Sequence, residues 1–224
     1  MNSERTIALI GENAYARLQT AQVIIFGVGG VGGWCAEALV RSGIQHLTLI
    51  DYDLVTDSNS NRQVVALSTN IGLPKVAEMK ARLLAINPEA QIETRHERYS
   101  GATLPEGKGR YLIDAIDEIT PKALLLHEAT KAGYTVFSSM GAGRRITTEA
   151  IHTGEFRKVS GCPLARALRH KMKDLQCWPE GKVQCVWSDG EIVAEKGTLA
   201  PVVGVFGFKL AELVLTTILD TTIH

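Results

Sequence analysis

The sequence has no excess of charge. Its 224 residues carry 24 lysines and arginines against 24 aspartates and glutamates. No global field therefore marks a nucleic-acid binder, although a local patch stays open. Paired cysteines at metal-binding spacing are also missing. Cys35, Cys162, Cys177 and Cys185 form no CxxC, which argues against a structural zinc site. The opening run MNSERTIALIGENAYARL lacks the charged-then-apolar layout of a secretory signal. Disulfides then have no oxidising context, and a reducing cytoplasm is the expected location. No apolar run reaches the ~20 residues of a membrane span. The nearest, Val202 to Leu219, is interrupted by Lys209 and Glu212 and reads as a packed helix. Internal repeats and low-complexity linkers are absent. What is present is ordinary for a soluble globular chain, 45% hydrophobic and 21% charged. The length fits one domain over 1–224, with a core over 1–143 and an extension over 144–224 packed on it.

Short apolar runs alternate with helical spacing through the first part. QVIIFG (Gln22 to Gly27) and HLTLID (His46 to Asp51) read as buried strands, and Val31 to Ser42 between them as a helix stopped by Gly43. Leu73 to Ile86 reads as a helix and QIETRHE (Gln91 to Glu97) as a strand. YLIDAID (Tyr111 to Asp117) is the next strand, Pro121 to Lys131 a helix, and YTVFSSMG (Tyr134 to Gly141) a further strand. This order predicts an α/β fold, Rossmann-like and doubly wound, with a mostly parallel sheet. From about Gly143 the pattern changes. RRITTEAIH reads as an antiparallel strand, Pro163 to Asp174 as a basic helix, Val183 to Ser188 as a short strand, and Gly204 to Leu219 as a long apolar helix. The C-terminal extension is thus antiparallel and helical.

Gly27-Val28-Gly29-Gly30-Val31-Gly32 matches GxGxxG between a predicted strand and a predicted helix. Glycine permits the tight turn and lets backbone N–H groups approach phosphate, and the helix N-terminus adds partial positive charge. Asp51 ends the next strand, nineteen residues after Gly32, where a carboxylate can accept both ribose hydroxyls. NAD is the plainest ligand for such a loop. The residues that follow argue for a triphosphate. Asp53, Asn59, Asn61, Arg62, Gln63 and Lys75 come after Asp51, and the two cations suit concentrated negative charge. Asp117, ending the fourth strand, can hold Mg²⁺ near phosphates.

GVGGVGGW, LIDYD, SNSNRQ, GLPKV, INPEA and DAIDEITPK together resemble the ubiquitin-activating-like (ThiF/MoeB/HesA-type) adenylating enzymes, over roughly Ala21 to Gly143. Trp34, the SSMGAGRR segment, the PLARALRHKMKD helix, GKVQCVWS and VFGF are similar to the branch that dehydrates threonylcarbamoyladenosine in tRNA. The resemblance implies an ATP-dependent adenylating enzyme, with ATP and Mg²⁺ as cofactors. It implies that Asp51 binds ribose, that Asn59, Arg62, Gln63 and Lys75 surround the triphosphate, and that Asp117 binds Mg²⁺ or lies by the α-phosphate. Arg62, Lys75 and Asp117 would carry the chemistry, and Asp53 belongs to the same cofactor-binding set. The implied partners are tRNA, a second copy of the chain with Arg5 reaching into the partner's site, and a cysteine desulfurase or sulfur-acceptor system. Activation of a ubiquitin-like sulfur carrier is the alternative, disfavoured by the missing zinc pairs. An NAD-linked oxidoreductase or a non-catalytic nucleotide-binding module is disfavoured by Arg62 and Lys75.

Between Arg144 and Lys182 nine basic residues face four acidic ones, a local excess of five positive charges. Arg144, Arg145, Arg166, Arg169 and Lys173 are the candidate RNA contacts, with Arg166, Arg169 and Lys173 expected on one helical face. The alternative is an ordinary solvated face. Cys185 could carry an acyl group as a thiolate, but its apolar run favours a small buried hydrophobe. His127 and His170 fall on predicted helices with no partner motif.

Overall fold

The apolar runs pair side by side into one sheet. In this computed structural model, which describes residues 2–101, 104–107 and 109–220, the strands are β1 (Gln22–Phe26), β2 (His46–Ile50), β3 (Gln91–Arg95), β4 (Tyr111–Asp114), β5 (Thr135–Ser139), β6 (Ile151–Glu155) and β7 (Val183–Ser188). Their order is β3-β2-β1-β4-β5-β7-β6. Every pairing is parallel except β6 with β7. β1 leads outward to β2 and β3, then the chain returns and β4 lies on the other side of β1. That reversal is a topological switch point, where the loops after two neighbouring strands part and leave a crevice. The last residues of the expected extension, 221–224, lie outside the described residues.

The helices are α1 (Glu4–Ile10), α2 (Glu12–Thr20), α3 (Gly30–Ser42), α4 (Lys75–Ile86), α5 (Ile119–Lys131), α6 (Pro163–Leu175) and α7 (Ala200–Asp220). Side chains of β1 alternate between two cores, as a strand's period of two demands. Val23 and Ile25 pack with Leu39 of α3, Met79 of α4 and Phe206 of α7. Phe26 faces the other way, toward Leu125 of α5 and Leu168 of α6. α7 is long and apolar enough to cross a membrane by composition, yet it lies along α3 with Val202, Phe206, Leu210 and Val214 fully buried. Gly207 permits that close approach, because a Cβ there would sit 2.6 Å from the Val31 carbonyl oxygen.

Several expected boundaries move. β4 stops at Asp114 rather than Asp117, because the Asp114 carboxylate accepts the Ile116 N–H (3.1 Å) and turns the chain. Residues 144–150 form no strand. Arg144 takes a left-handed φ of 67° and its backbone bonds to the 193–197 segment instead: its N–H donates to Gly197 O, and its carbonyl accepts from Val193. The antiparallel strand is therefore β6, displaced to Ile151–Glu155. α7 begins at Ala200, four residues before the expected start, with Pro201 in its first turn where no N–H is needed. α1 and α2 had no counterpart in the sequence reading.

Candidate active site

The loop after β1 carries the first donors. Gly27 takes φ +86°, and a Cβ there would meet the Ala115 carbonyl oxygen at 2.8 Å. A Cβ at Gly32 would sit 1.8 Å from Gly27 O. These glycines let the loop fold tightly against the loop after β4. No side chain caps α3. Its first-turn amides open onto a cavity of about 420 Å³ lined by Gly27, Gly29 and Gly30 but not by Gly32. Uncapped amides and the helix dipole together favour an anion there.

Asp51 stands at the end of β2 beneath that loop. Its Oδ2 accepts the Val28 N–H and its Oδ1 the Asp53 N–H, each at 2.8 Å. Burial pushes its carboxyl above the usual range, opposed by those two bonds and by Lys75. Lys75 is only 4% exposed, and its Nζ closes on Asp53 Oδ2 at 2.6 Å. It is the first residue of α4, where a cation works against the helix dipole. Its position is better explained by an anion in the cavity than by helix stability.

The segment 56–63 builds the third wall. Buried Asn59 accepts the Thr56 N–H through Oδ1 and fixes the turn. Arg62 lines the cavity, its Nη1 held by Ser58 O (2.8 Å) and Asn61 Oδ1 (2.9 Å). Trp34 of α3 clamps the Arg62 carbonyl (3.1 Å). Gln63 is buried with its Oε1 unpartnered, a polar atom that a ligand can satisfy.

Across the crevice, Asp117 is exposed and lines the cavity. Beneath it lies a network that sequence reasoning missed. Lys122 Nζ donates to Asp114 Oδ2 (2.6 Å) and to Ile116 O (2.9 Å), and Ser138 Oγ donates to the same carboxylate oxygen (2.6 Å). All three side chains are buried. The network pins the Ile116 carbonyl and so the loop that presents Asp117. Its signal was a charged residue inside each of two apolar patterns, Asp114 in YLIDAID and Lys122 in the helix after it. A second missed cluster forms the rim. Tyr52 Oη donates to Glu118 Oε1 (2.8 Å), Arg98 pairs with the same carboxylate and stacks over the Tyr52 ring at 5.2 Å. The Tyr52 phenol is pushed up to about 12, first by its bond to Glu118. Tyr52, Arg98 and Glu118 sit in the connections that follow three different strands, so no local pattern reveals them.

Of the expected cofactor residues, all but Gly32 line one cavity. The ThiF family model matches residues 2–224. The chain belongs to the ThiF family. It is 35% identical over 210 residues to the tRNA threonylcarbamoyladenosine dehydratase of Escherichia coli, covering 86% of this chain and 78% of that protein. The crystal structure of the E. coli dehydratase in complex with ATP superposes with a TM-score of 0.89 and 33% identity, over 97% of this chain and 93% of that one. The sulfur carrier protein ThiS adenylyltransferase of E. coli is 28% identical, over 90% of this chain and 72% of that protein.

On the C-terminal side of this ThiF-family chain, Met140, Gly141, Leu164 and Thr198 close the cavity, and Asn61 Nδ2 ties the 189–199 segment down through Thr198 O (3.1 Å). The candidate RNA residues separate here. Arg145 is buried, its guanidinium donating to Gly141 O, Gly143 O and Ser188 O. Arg169 donates to Phe156 O and Val159 O and stacks over Phe156. Both leave the outward-facing set, because backbone carbonyls claim their guanidinium groups. Arg166 and Lys173 are exposed and Arg144 is half-buried. Cys185 is fully buried in β7, and burial pushes its thiol up, which makes it a core residue and not a nucleophile. Arg5 is exposed on α1 and does not line this chain's own cavity.

Proposed function

We propose that this chain is an ATP-dependent tRNA threonylcarbamoyladenosine dehydratase. The observation that carries this reading is the convergence of Asp51, Arg62, Lys75, Asp117 and the uncapped N-terminus of α3 on one cavity, in a fold that superposes on an ATP-bound dehydratase along almost its whole length. Asp51 accepts the ribose hydroxyls. The α3 amides, Arg62 and Lys75 take the phosphates. The substrate's carboxylate attacks the α-phosphorus, the bond to the β-phosphate oxygen breaks, and pyrophosphate leaves. Negative charge grows on phosphate oxygens, so fixed cations and amides supply most of the stabilisation. The acyl adenylate is electrophilic. The neighbouring carbamoyl group attacks it, the ring closes, and AMP departs with the carboxylate oxygen. The net change is loss of water from the modified nucleoside, and no protein nucleophile is needed.

Among the described residues no cluster of three metal-ligating side chains exists. A single carboxylate, Asp117, fits a Mg²⁺ ion held chiefly by phosphate oxygens and water; such an ion would neutralise charge on the leaving pyrophosphate. Homodimerisation, with Arg5 serving the partner's site, belongs to the same reading. Exposed Leu54, Leu67, Ile71 and Leu73 on one segment supply apolar surface for it. A tRNA substrate places the work in the cytoplasm, in keeping with four unpaired cysteines. All four are buried, so a sulfur-transfer partner would find no exposed thiol here.

Pyrophosphate release is the test. It is expected to depend on threonylcarbamoylated tRNA. Stimulation by a ubiquitin-like carrier with a diglycine tail, and none by the tRNA, would replace this reading with sulfur-carrier activation.

A further inference from the structure

Trp178 is fixed in the open. α6 is capped by Gln176, which takes a left-handed φ of 52°, and the buried Cys177 anchors the turn. The Trp178 carbonyl is held by His127 Nδ1 at 2.7 Å, and Glu180 N–H donates to Thr130 Oγ1 at 3.0 Å. Both partners belong to α5, so the turn is clamped to the body of the protein. The residue nevertheless stays 46% exposed. A tryptophan kept for packing turns its ring inward; this one stands as a wedge between two hollows and lines both.

The first hollow is basic. Arg166, His170 and Lys173 line it beside Trp178, and their spacing of four and three puts them on one face of α6. All three are exposed. The second hollow adds Arg157 against a single carboxylate, Glu155. At its other end α6 places Leu164 in the wall of the nucleotide cavity. Thirteen residues of helix span about 20 Å, so the basic face leads from the reaction cavity to the indole within one helix length.

We propose that Trp178, with Arg166, His170 and Lys173, is a stacking site for an unpaired base of an RNA loop. The base lies on the indole, and the flanking phosphates run along the basic face of α6. Indole stacking suits any base because every base has a π-face, and adjacent cations hold the backbone. This rests on the tRNA reading and extends it: the wedge grips nucleotides flanking the one that reacts.

The probe is an unmodified stem-loop RNA with an unpaired loop, titrated against the whole protein, with tryptophan fluorescence as the readout. RNA is expected to quench the wild type, and Trp178→Phe to lose most of that quench while binding nearly as tightly. Trp178→Ala is expected to weaken RNA binding about tenfold. It is expected to raise KM for threonylcarbamoylated tRNA by a similar factor, with kcat and ATP affinity unchanged. Arg166→Gln and Lys173→Gln are each expected to lower the slope of log affinity against log salt by about one. Unaltered RNA affinity in Trp178→Ala, or a full quench surviving in Trp178→Phe, would overturn the stacking site. Wild-type fluorescence untouched by RNA would overturn it too, whatever the enzyme assays give. If stem-loop RNA quenches as expected but threonylcarbamoylated tRNA drives no pyrophosphate release, the dehydratase reading falls and the RNA site stands.

Discussion

Lys75 and Lys122 each sit in the first turn or so of a helix beside the cavity, and each closes on an aspartate at 2.6 Å. Their surroundings differ. Asp53, the partner of Lys75, keeps 45% of its side chain exposed, whereas Asp114, the partner of Lys122, keeps none. Among the described residues the Lys75 ammonium has one hydrogen-bonded partner, and that partner can be rehydrated when the ammonium turns to a phosphate. Lys122 has two partners, and its carboxylate has two further donors in Ser138 and Ile116. An ion pair at a cavity wall can be exchanged for a ligand. A dry pair whose carboxylate is held by three donors can only hold backbone in place, because separating it strands a charge away from water.

The largest effect that would test this contrast is on stability. Lys122→Ala should cost about 3–5 kcal/mol by stranding Asp114, lowering the thermal midpoint by roughly 6–20 °C in a chain of this size. Lys122→Met combined with Asp114→Leu should recover much of that loss in calorimetry. A single mutant as stable as wild type would break the contrast. Lys75→Ala should do the reverse: pyrophosphate release falls on the order of 10²–10³-fold, and the thermal midpoint moves by only a few degrees. Collapse of the fold instead would make Lys75 a structural residue.

The same contrast divides α6. Arg169→Ala should destabilise by about 1–3 kcal/mol, since the carbonyls of Phe156 and Val159 lose the guanidinium donor and Phe156 O keeps only the Val159 N–H. Arg166→Ala should stay within about 0.5 kcal/mol in a denaturant melt, yet raise KM for tRNA. Equal melts for both would erase the difference between them. The smallest effect concerns pH. Burial raises the Asp51 carboxyl above its unfolded value, so its contribution to folding is fully present below the usual aspartate range. That contribution is lost as pH rises through the higher folded value. Ribose binding needs the ionised form. ATP affinity measured from pH 4 to 7 should therefore weaken on acidification at a pH above the usual aspartate value of 3.8, and Asp51→Asn should flatten the profile.

The cofactor wall was legible because its signals are local. A glycine turn must join strand to helix over a few residues, and an acid at the next strand's end follows from the βαβ repeat. Gly27, Gly29, Gly30 and Asp51 could thus be expected on one crevice, whereas Arg62 and Lys75 were expected there from their charge and from the family resemblance. The C-terminal part gave weaker signals. RRITTEAIH alternates like a strand, but Arg144 pairs its backbone with the 193–197 segment, which no pattern within those nine residues can announce. The helix over Pro163–Leu175 was visible, and so was its cationic face, but not the direction in which each cation points.

That direction marks the boundary between the two kinds of information. Period and glycine placement alone determined the alternating elements, the glycine turn after β1 and the acid at the end of β2, since each depends on neighbours within about one helical turn or one strand. Tertiary structure alone decided that Arg145 and Arg169 turn inward to carbonyls. It also decided that Lys122 is buried on Asp114, that Tyr52 meets Glu118, and that Trp178 faces out. A side chain carries the same charge or ring whichever way it points. What settles the matter is which unsatisfied group lies across the gap, and that group comes from a distant part of the chain.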